Sequence, residues 1–206
     1  PSGVLCELLN EDGSCARLPA LIKFKEKLGL KLISIADLIQ YRHKREKLVE
    51  KLTEQPFDSA YGKFDLHVYR NKIDGRHHIA LSIGNLSPEP TLVRVHSENL
   101  LSDIFQSRDM NSHQSLVSSL EWIAKEKNGV ILYLEQPHSG FNVEKIGEGK
   151  NGKIAPAHMD FRDYGIGAQI LSELGLKKIR LLSSTHRKVI ALDGYDLEIV
   201  EQIPLT

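Results

Sequence analysis

The chain is 206 residues long, with 41% apolar and 26% charged side chains, an ordinary globular composition with enough apolar surface for a packed core. Lys plus Arg and Asp plus Glu both number 27, so no global charge draws the molecule to nucleic acid or an anionic membrane, and any anion site has to be local. Two cysteines, Cys6 and Cys15, are too few for a disulfide framework, and no apolar run approaches the roughly 20 residues needed to span a bilayer. The expectation is a cytoplasmic protein with a small-molecule partner, engaging neither nucleic acid nor membrane. Its opening, Pro1-Ser2-Gly3-Val4, has no basic leader and no initiator Met, and reads as cut from something longer.

Gly3 to Leu9 is an apolar run that reads as a strand, Asn10-Glu11-Asp12-Gly13 has turn chemistry, and Leu18 to Leu28 carries apolar residues at helical spacing. Gly29 closes that helix. Leu30 to Ile35 reads as a buried strand. Ala36 to about Leu52 reads as a helix whose far end (Arg42, Lys44, Arg45, Glu46, Lys47, Glu50, Lys51) is solvated. From Gln55-Pro56 the pattern turns to β: Lys63 to Arg70 and His78 to Ile83 form a hairpin around Asp74-Gly75, with Thr91 to His96 as its neighbour. A helix from about Ser112 to Lys125 leads to a strand at Gly129 to Leu134, then to an irregular stretch from Glu135 to His158. A helix from Asp160 to Leu174, a strand at Lys178 to Leu182 and a last strand at Leu197 to Val200 complete a mixed α/β pattern without internal repeats. His77-His78 reads as turn surface and Trp122 as core.

Taken one at a time, the polar residues are ordinary. Glu7 is an exposed strand position, and Asp160 is a helix N-cap followed by first-turn surface at Arg162-Asp163. Arg94, Lys188 and Arg187 are the cations able to form an anion pocket, since Arg and Lys grip phosphate without a metal.

Longer stretches add a resemblance. Residues 1 to 45 resemble the C-terminal part of 3,4-dihydroxy-2-butanone 4-phosphate synthase, through Pro-Ser-Gly-Val-Leu-Cys-Glu-Leu-Leu-Asn-Glu-Asp-Gly (1 to 13) and Ile-Ala-Asp-Leu-Ile-Gln-Tyr-Arg (35 to 42). From about Ala60 onward the chain resembles GTP cyclohydrolase II, through Tyr61-Gly62-Lys63-Phe64, Val93-Arg94-Val95-His96-Ser97-Glu98, Asp160-Phe161-Arg162-Asp163-Tyr164-Gly165 and Leu-Gly-Leu…Ile-Arg-Leu-Leu at 174 to 182. Both families serve riboflavin synthesis and commonly share a polypeptide in this order. The implied organisation is a synthase fragment with a connecting helix at 1 to 50, from an α/β fold, and a cyclohydrolase-like mixed sheet with flanking helices at 55 to 206.

The resemblance implies chemistry, and also what is missing from it. The synthase converts ribulose 5-phosphate to dihydroxybutanone phosphate and formate with magnesium, and Glu7 matches a carboxylate used at its substrate. The family's metal-binding Glu and His lie upstream of Pro1, so magnesium belongs to the intact synthase. A missing N-terminal synthase domain is then a partner, and the assembly is expected to be a homodimer. Cyclohydrolase II holds a zinc ion with three Cys thiolates, one directly after His-Ser-Glu and a Cys-x-Cys pair beyond it, leaving one position for water. Here those positions are Asn99, Met110 and Ser112, all poor zinc ligands, and no Cys follows Cys15. Zinc is therefore expected to be absent; a substitute site would have to come from His96, Asp103, Asp109 or His113.

The family's guanine- and phosphate-contacting loop, Gln-Glu-Gly-Arg-Gly-Ile-Gly-Leu, is replaced by Gln136-Pro137-His138-Ser139-Gly140-Phe141-Asn142, and the helix with the catalytic Tyr is missing. What survives is a nucleotide-binding set, Arg94 through Glu98, with Gln114 one residue from a GTP contact, Ser183 in place of a Thr, His186 in place of a Pro, and Lys188 at a phosphate contact. Asp160 and Arg162 match the general base and the Arg nucleophile, here vestigial. The resemblance thus implies a degenerate cyclohydrolase-like domain with a structural or nucleotide-sensing role, binding GTP or a related nucleotide. The alternative is an active hydrolase with another metal or another purine nucleotide.

Overall fold

A computed structural model describes residues 2–35, 37–38, 41–42, 46–86, 90–108, 110–140, 161–184 and 195–205, the side chains of 161–164 excepted. The chain forms two compact units, residues 1–39 and 40–206.

In the first unit, α1 spans Leu18–Leu28, with a proline in its first turn and Gly29 at φ 64° closing it through a bond to Lys25 O. No residue of α1 is buried. The run from Gly3 to Leu9 is not a strand: only an isolated bridge, Leu9 to Cys15, closes the turn, and Val4 and Leu5 are exposed. Leu30 to Ile35 is no buried strand either, with Ile33 65% and Ile35 78% exposed. An apolar run becomes a strand only when a neighbour pairs with it, and none does among the described residues of this unit.

The second unit is a seven-stranded mixed sheet. Its strands are β1 (Val49–Ser59), β2 (Gly62–Asn71), β3 (His77–Ile83), β4 (Thr91–Ser97), β5 (Gly129–Leu134), β6 (Lys178–Ser183) and β7 (Glu198–Pro204), in the spatial order β1-β2-β3-β5-β4-β6-β7. The hairpin of β2 and β3 lies where expected, but the helix expected to reach Leu52 gives way to β1 at Val49, which pairs with Asn71. β1 is an edge strand with mostly exposed residues, so its charges do not betray it, and Pro56 is tolerated because one side of an edge needs no donor. β4 is not the hairpin's neighbour. β5 lies between them, antiparallel to β3 and parallel to β4, and β4 is parallel to β6 on its other side.

Among the described residues three α-helices pack with the sheet: α2 (Leu100–Asp103), α3 (Ser112–Glu126) and α4 (Phe161–Glu173). α3 buries Leu120 and Ile123 against Phe64, Leu92, Ile131 and Leu182, and each such fully buried side chain contributes roughly 1.5–3 kcal/mol. Trp122, expected in the core, is 36% exposed, because Leu116, Leu120 and Ile123 form the inward stripe and position 122 falls beside it. α4 covers the opposite face, where a side chain at Gly167 would meet Leu132 and Leu134, the alternating partners of Ile131 on β5. That alternation also corrects His78, which is buried within β3 while His77 faces out.

Candidate functional site

β4 occupies the centre of the parallel part of the sheet, and the connections on its two sides run over opposite faces. The carboxyl ends of β4, β5 and β6 therefore open where chain connections diverge, the usual place for a ligand crevice in such sheets. Arg94 and His96 share one face of β4, and Glu98 follows directly after the strand ends.

Arg94 is half-buried, and its Nη1 donates to Leu182 O at 3.1 Å. Its Nε is buried without a hydrogen-bond partner, no carboxylate pairs with the guanidinium among the described residues, and burial pushes its pKa down. Glu98 accepts the backbone N–H of Gln136 at 3.0 Å, tying the end of β4 to the chain after β5.

Deeper in, a hydrogen-bonded cluster gathers four elements on one carboxylate. Asp103 accepts from Ser112 Oγ at 2.6 Å, from Tyr133 OH at 2.8 Å and from the backbone N–H of Asn99 at 2.9 Å; His96 Nε2 lies 3.2 Å from both its oxygens. The ring of His96 stacks on Tyr133, its partner in the β4–β5 register. Burial pushes the Asp103 carboxyl up, but the hydrogen bonds from His96, Ser112 and the Asn99 N–H outweigh it and hold the group below its ordinary range. Tyr133 is shifted up by burial and by its bond to Asp103.

Of the three positions matched to zinc thiolates, Asn99 and Met110 touch, and Ser112 meets Asn99 only at the shared Asp103 carboxylate. Asn99 Nδ2 lies 3.3 Å from Met110 Sδ and 3.3 Å from Gly140 O, while Asn99 Oδ1 caps α2 by accepting Ser102 N–H at 3.0 Å. The donor set does not fit a zinc ion. Asn99 Oδ1 is committed to the cap, Asp103 is saturated with donors, and His113 Nδ1 is bonded to Asp103 O at 2.8 Å. Among the described residues no cluster of three or more His, Cys, Asp or Glu is placed to hold a metal. Asp109 lies outside them.

Ser112, His96 and Asp103 do not make a nucleophilic triad. Ser112 Oγ (3.1 Å) and the Asp103 oxygens approach the same ring nitrogen, Nε2, so the imidazole cannot take a proton at one nitrogen while being oriented at the other. A carboxylate only accepts, so Nε2 carries the hydrogen, leaving Nδ1 buried and without a partner among the described residues.

The other predicted residues are scattered. Val95 and Ser97 are half-buried and face away from Arg94 and His96. Ser183 ends β6, where its carbonyl accepts Leu205 N–H. Gln114 is exposed, with its amide turned to Ser118 at 3.4 Å rather than to the cluster. Asp160, Lys188, Arg187 and His186 lie outside the described residues, and Arg162 is described only as helical backbone. Glu7, in the first unit, is exposed and accepts from Cys15 Sγ at 3.1 Å. Sequence reasoning missed Tyr133, whose role depends on strand register, and Gly140, whose φ of 80° and contact with Glu98 O leave no room for a Cβ.

The fold and this site define a class: residues 50–204 match the family model of GTP cyclohydrolase II, and the chain belongs to that family. Residues 1–41 match the model of 3,4-dihydroxy-2-butanone 4-phosphate synthase. Among its relatives, the riboflavin biosynthesis protein RibBA of Aquifex aeolicus is 42% identical over 223 residues, covering 100% of this chain and 54% of its own. RibBA of Chlorobium phaeovibrioides is 44% identical over 217 residues, covering 100% and 53%. The crystal structure of RibBX from A. baumannii, a two-domain 3,4-dihydroxy-2-butanone 4-phosphate synthase, superposes with a TM-score of 0.58 at 31% identity, over 98% of this chain and 53% of that one. The chain thus spans about half the length of the relatives it matches.

Proposed function

We propose that this chain is the cyclohydrolase-like part of a bifunctional riboflavin-biosynthesis protein whose catalysis resides in its synthase, and that the cyclohydrolase-like domain binds a nucleotide without hydrolysing it. The observation that carries the reading is Arg94: a half-buried guanidinium at the mouth of the parallel strands, offset by no described carboxylate, beside a junction whose donors suit no zinc. A buried cation is costly unless an anion meets it, and a phosphate is such an anion. In the synthase half, Glu7 is the carboxylate that would work at the sugar phosphate, with magnesium supplied by residues of the intact enzyme. The two free, exposed cysteines suit a reducing compartment, and the reading places the protein in the cytoplasm as a homodimer, which sedimentation velocity would test.

The test is calorimetry with GTP beside a formate assay on the same preparation. Saturable GTP binding is expected, weakened roughly ten- to hundredfold by Arg94→Ala, the loss of one charge-assisted contact. No formate is expected from GTP, with or without added zinc. Formate release from GTP would overturn the reading in favour of an active hydrolase.

A further inference from the structure

We infer that Cys15 is a positioning residue for the synthase reaction: its thiol donates to the Glu7 carboxylate and fixes the direction in which that group is presented to the sugar phosphate. The inference rests on the reading that Glu7 works at the substrate of the intact synthase. Cys15 Sγ lies 3.1 Å from Glu7 Oε1. Backbone pairing brings the two together. Leu9 and Cys15 face each other in an antiparallel bridge, and Ala16 N–H donates to Leu8 O at 2.8 Å. Two residues before Leu9, Glu7 is a diagonal neighbour of Cys15 across that bridge, within reach of its side chain.

The turn that presents Cys15 is held from several sides. Gly13, at φ 81°, donates its N–H to Asn10 O at 3.0 Å, and Asn10 N–H donates to Ser14 O at 2.7 Å. The Asp12 carboxylate accepts the Ser14 N–H at 2.9 Å and the Ser14 hydroxyl at 2.6 Å, and Asn10 Nδ2 donates to Ser14 Oγ at 2.9 Å. A thiol mounted directly after so constrained a residue is aimed by the turn. The hydrogen bond to Glu7 pushes the Cys15 thiol above its ordinary range, so it stays protonated near neutral pH and remains a donor. A carboxylate that moves protons at a substrate works within a narrow geometry. With one oxygen engaged by the thiol, the other is left to the substrate.

The experiment uses the intact bifunctional protein. Peptide-resolved alkylation by iodoacetamide reads the contact, because both cysteines are exposed and the thiolate is the reactive form. At about pH 8, Glu7→Gln should speed alkylation of Cys15 several-fold more than that of Cys6; equal changes at the two would overturn the inference. Turnover of ribulose 5-phosphate reads the role. Cys15→Ala should lower kcat roughly three- to tenfold, the loss of one hydrogen bond, with KM within about twofold of the natural value. Cys15→Ser keeps a donor and should recover most of the rate. A Cys15→Ala kcat equal to the natural one, or a Cys15→Ser protein as slow as Cys15→Ala, would also overturn it. No turnover by the natural protein would instead sink the synthase reading on which the inference rests.

Discussion

The two units contrast in what their apolar residues accomplish. In residues 1–39 no described apolar side chain is buried, and many are exposed, with Leu18 61%, Leu28 58% and Ile33 65% accessible. In the sheet unit, side chains of the same kind are sealed, Ile123, Val130, Leu132 and Ile179 at 0%. Composition and periodicity are similar in the two. The difference lies in partners, so a sequence pattern states what a segment is able to bury, and only the presence of a facing surface makes it a core.

Mutations can break or sharpen this contrast. Ile123→Ala, which empties the centre of the α3 contact, should cost about 2–5 kcal/mol of unfolding free energy in urea melts; a cost under 1 kcal/mol would mean the sheet unit is no better packed than the other. Gly140→Ala drives a Cβ into Glu98 O at a left-handed φ, and a loss of at least about 2 kcal/mol is expected. A subtler effect concerns His67, which is 4% exposed and bonded to Ser82; burial, opposed by Glu54, holds its pKa below the ordinary value. The unfolded chain therefore binds a proton the folded one refuses, so stability present above about pH 6.5 is lost on acidification toward the folded pKa, with a slope of at most about 1.4 kcal/mol per pH unit. His67→Gln should flatten that part of the stability–pH curve, and an unchanged slope would refute the assignment. Smallest of all, Ile22→Ala on α1 should stay within about 0.5 kcal/mol in the present chain, because that side chain is 42% exposed.

Much of the sheet was legible because its signals are local. Asp74-Gly75 marks the hairpin, and the stripe Leu116, Leu120, Ile123 marks α3. β1 was hidden because edge exposure lets Glu50, Lys51 and Glu54 sit in a strand, and its pairing with β2 is set by neither residue type nor period. The insertion of β5 between β3 and β4 is a matter of topology that no window of sequence contains. The site divides the same way. Asn99, Met110 and Ser112 were found through family resemblance alone, whereas the contact of Tyr133 with Asp103 needs the β4–β5 register, and the saturation of Asp103 needs α2 and α3 in place.

His138, Ser139 and Gly140 all carry left-handed backbone, with φ of 53°, 53° and 80°. Two of the three have side chains that resist it, each at a cost of the order of 1 kcal/mol. The Asn99 amide donates to Gly140 O at the end of this segment. The backbone cost at His138 and Ser139 is therefore borne next to the contact that ties this turn to the residue preceding α2.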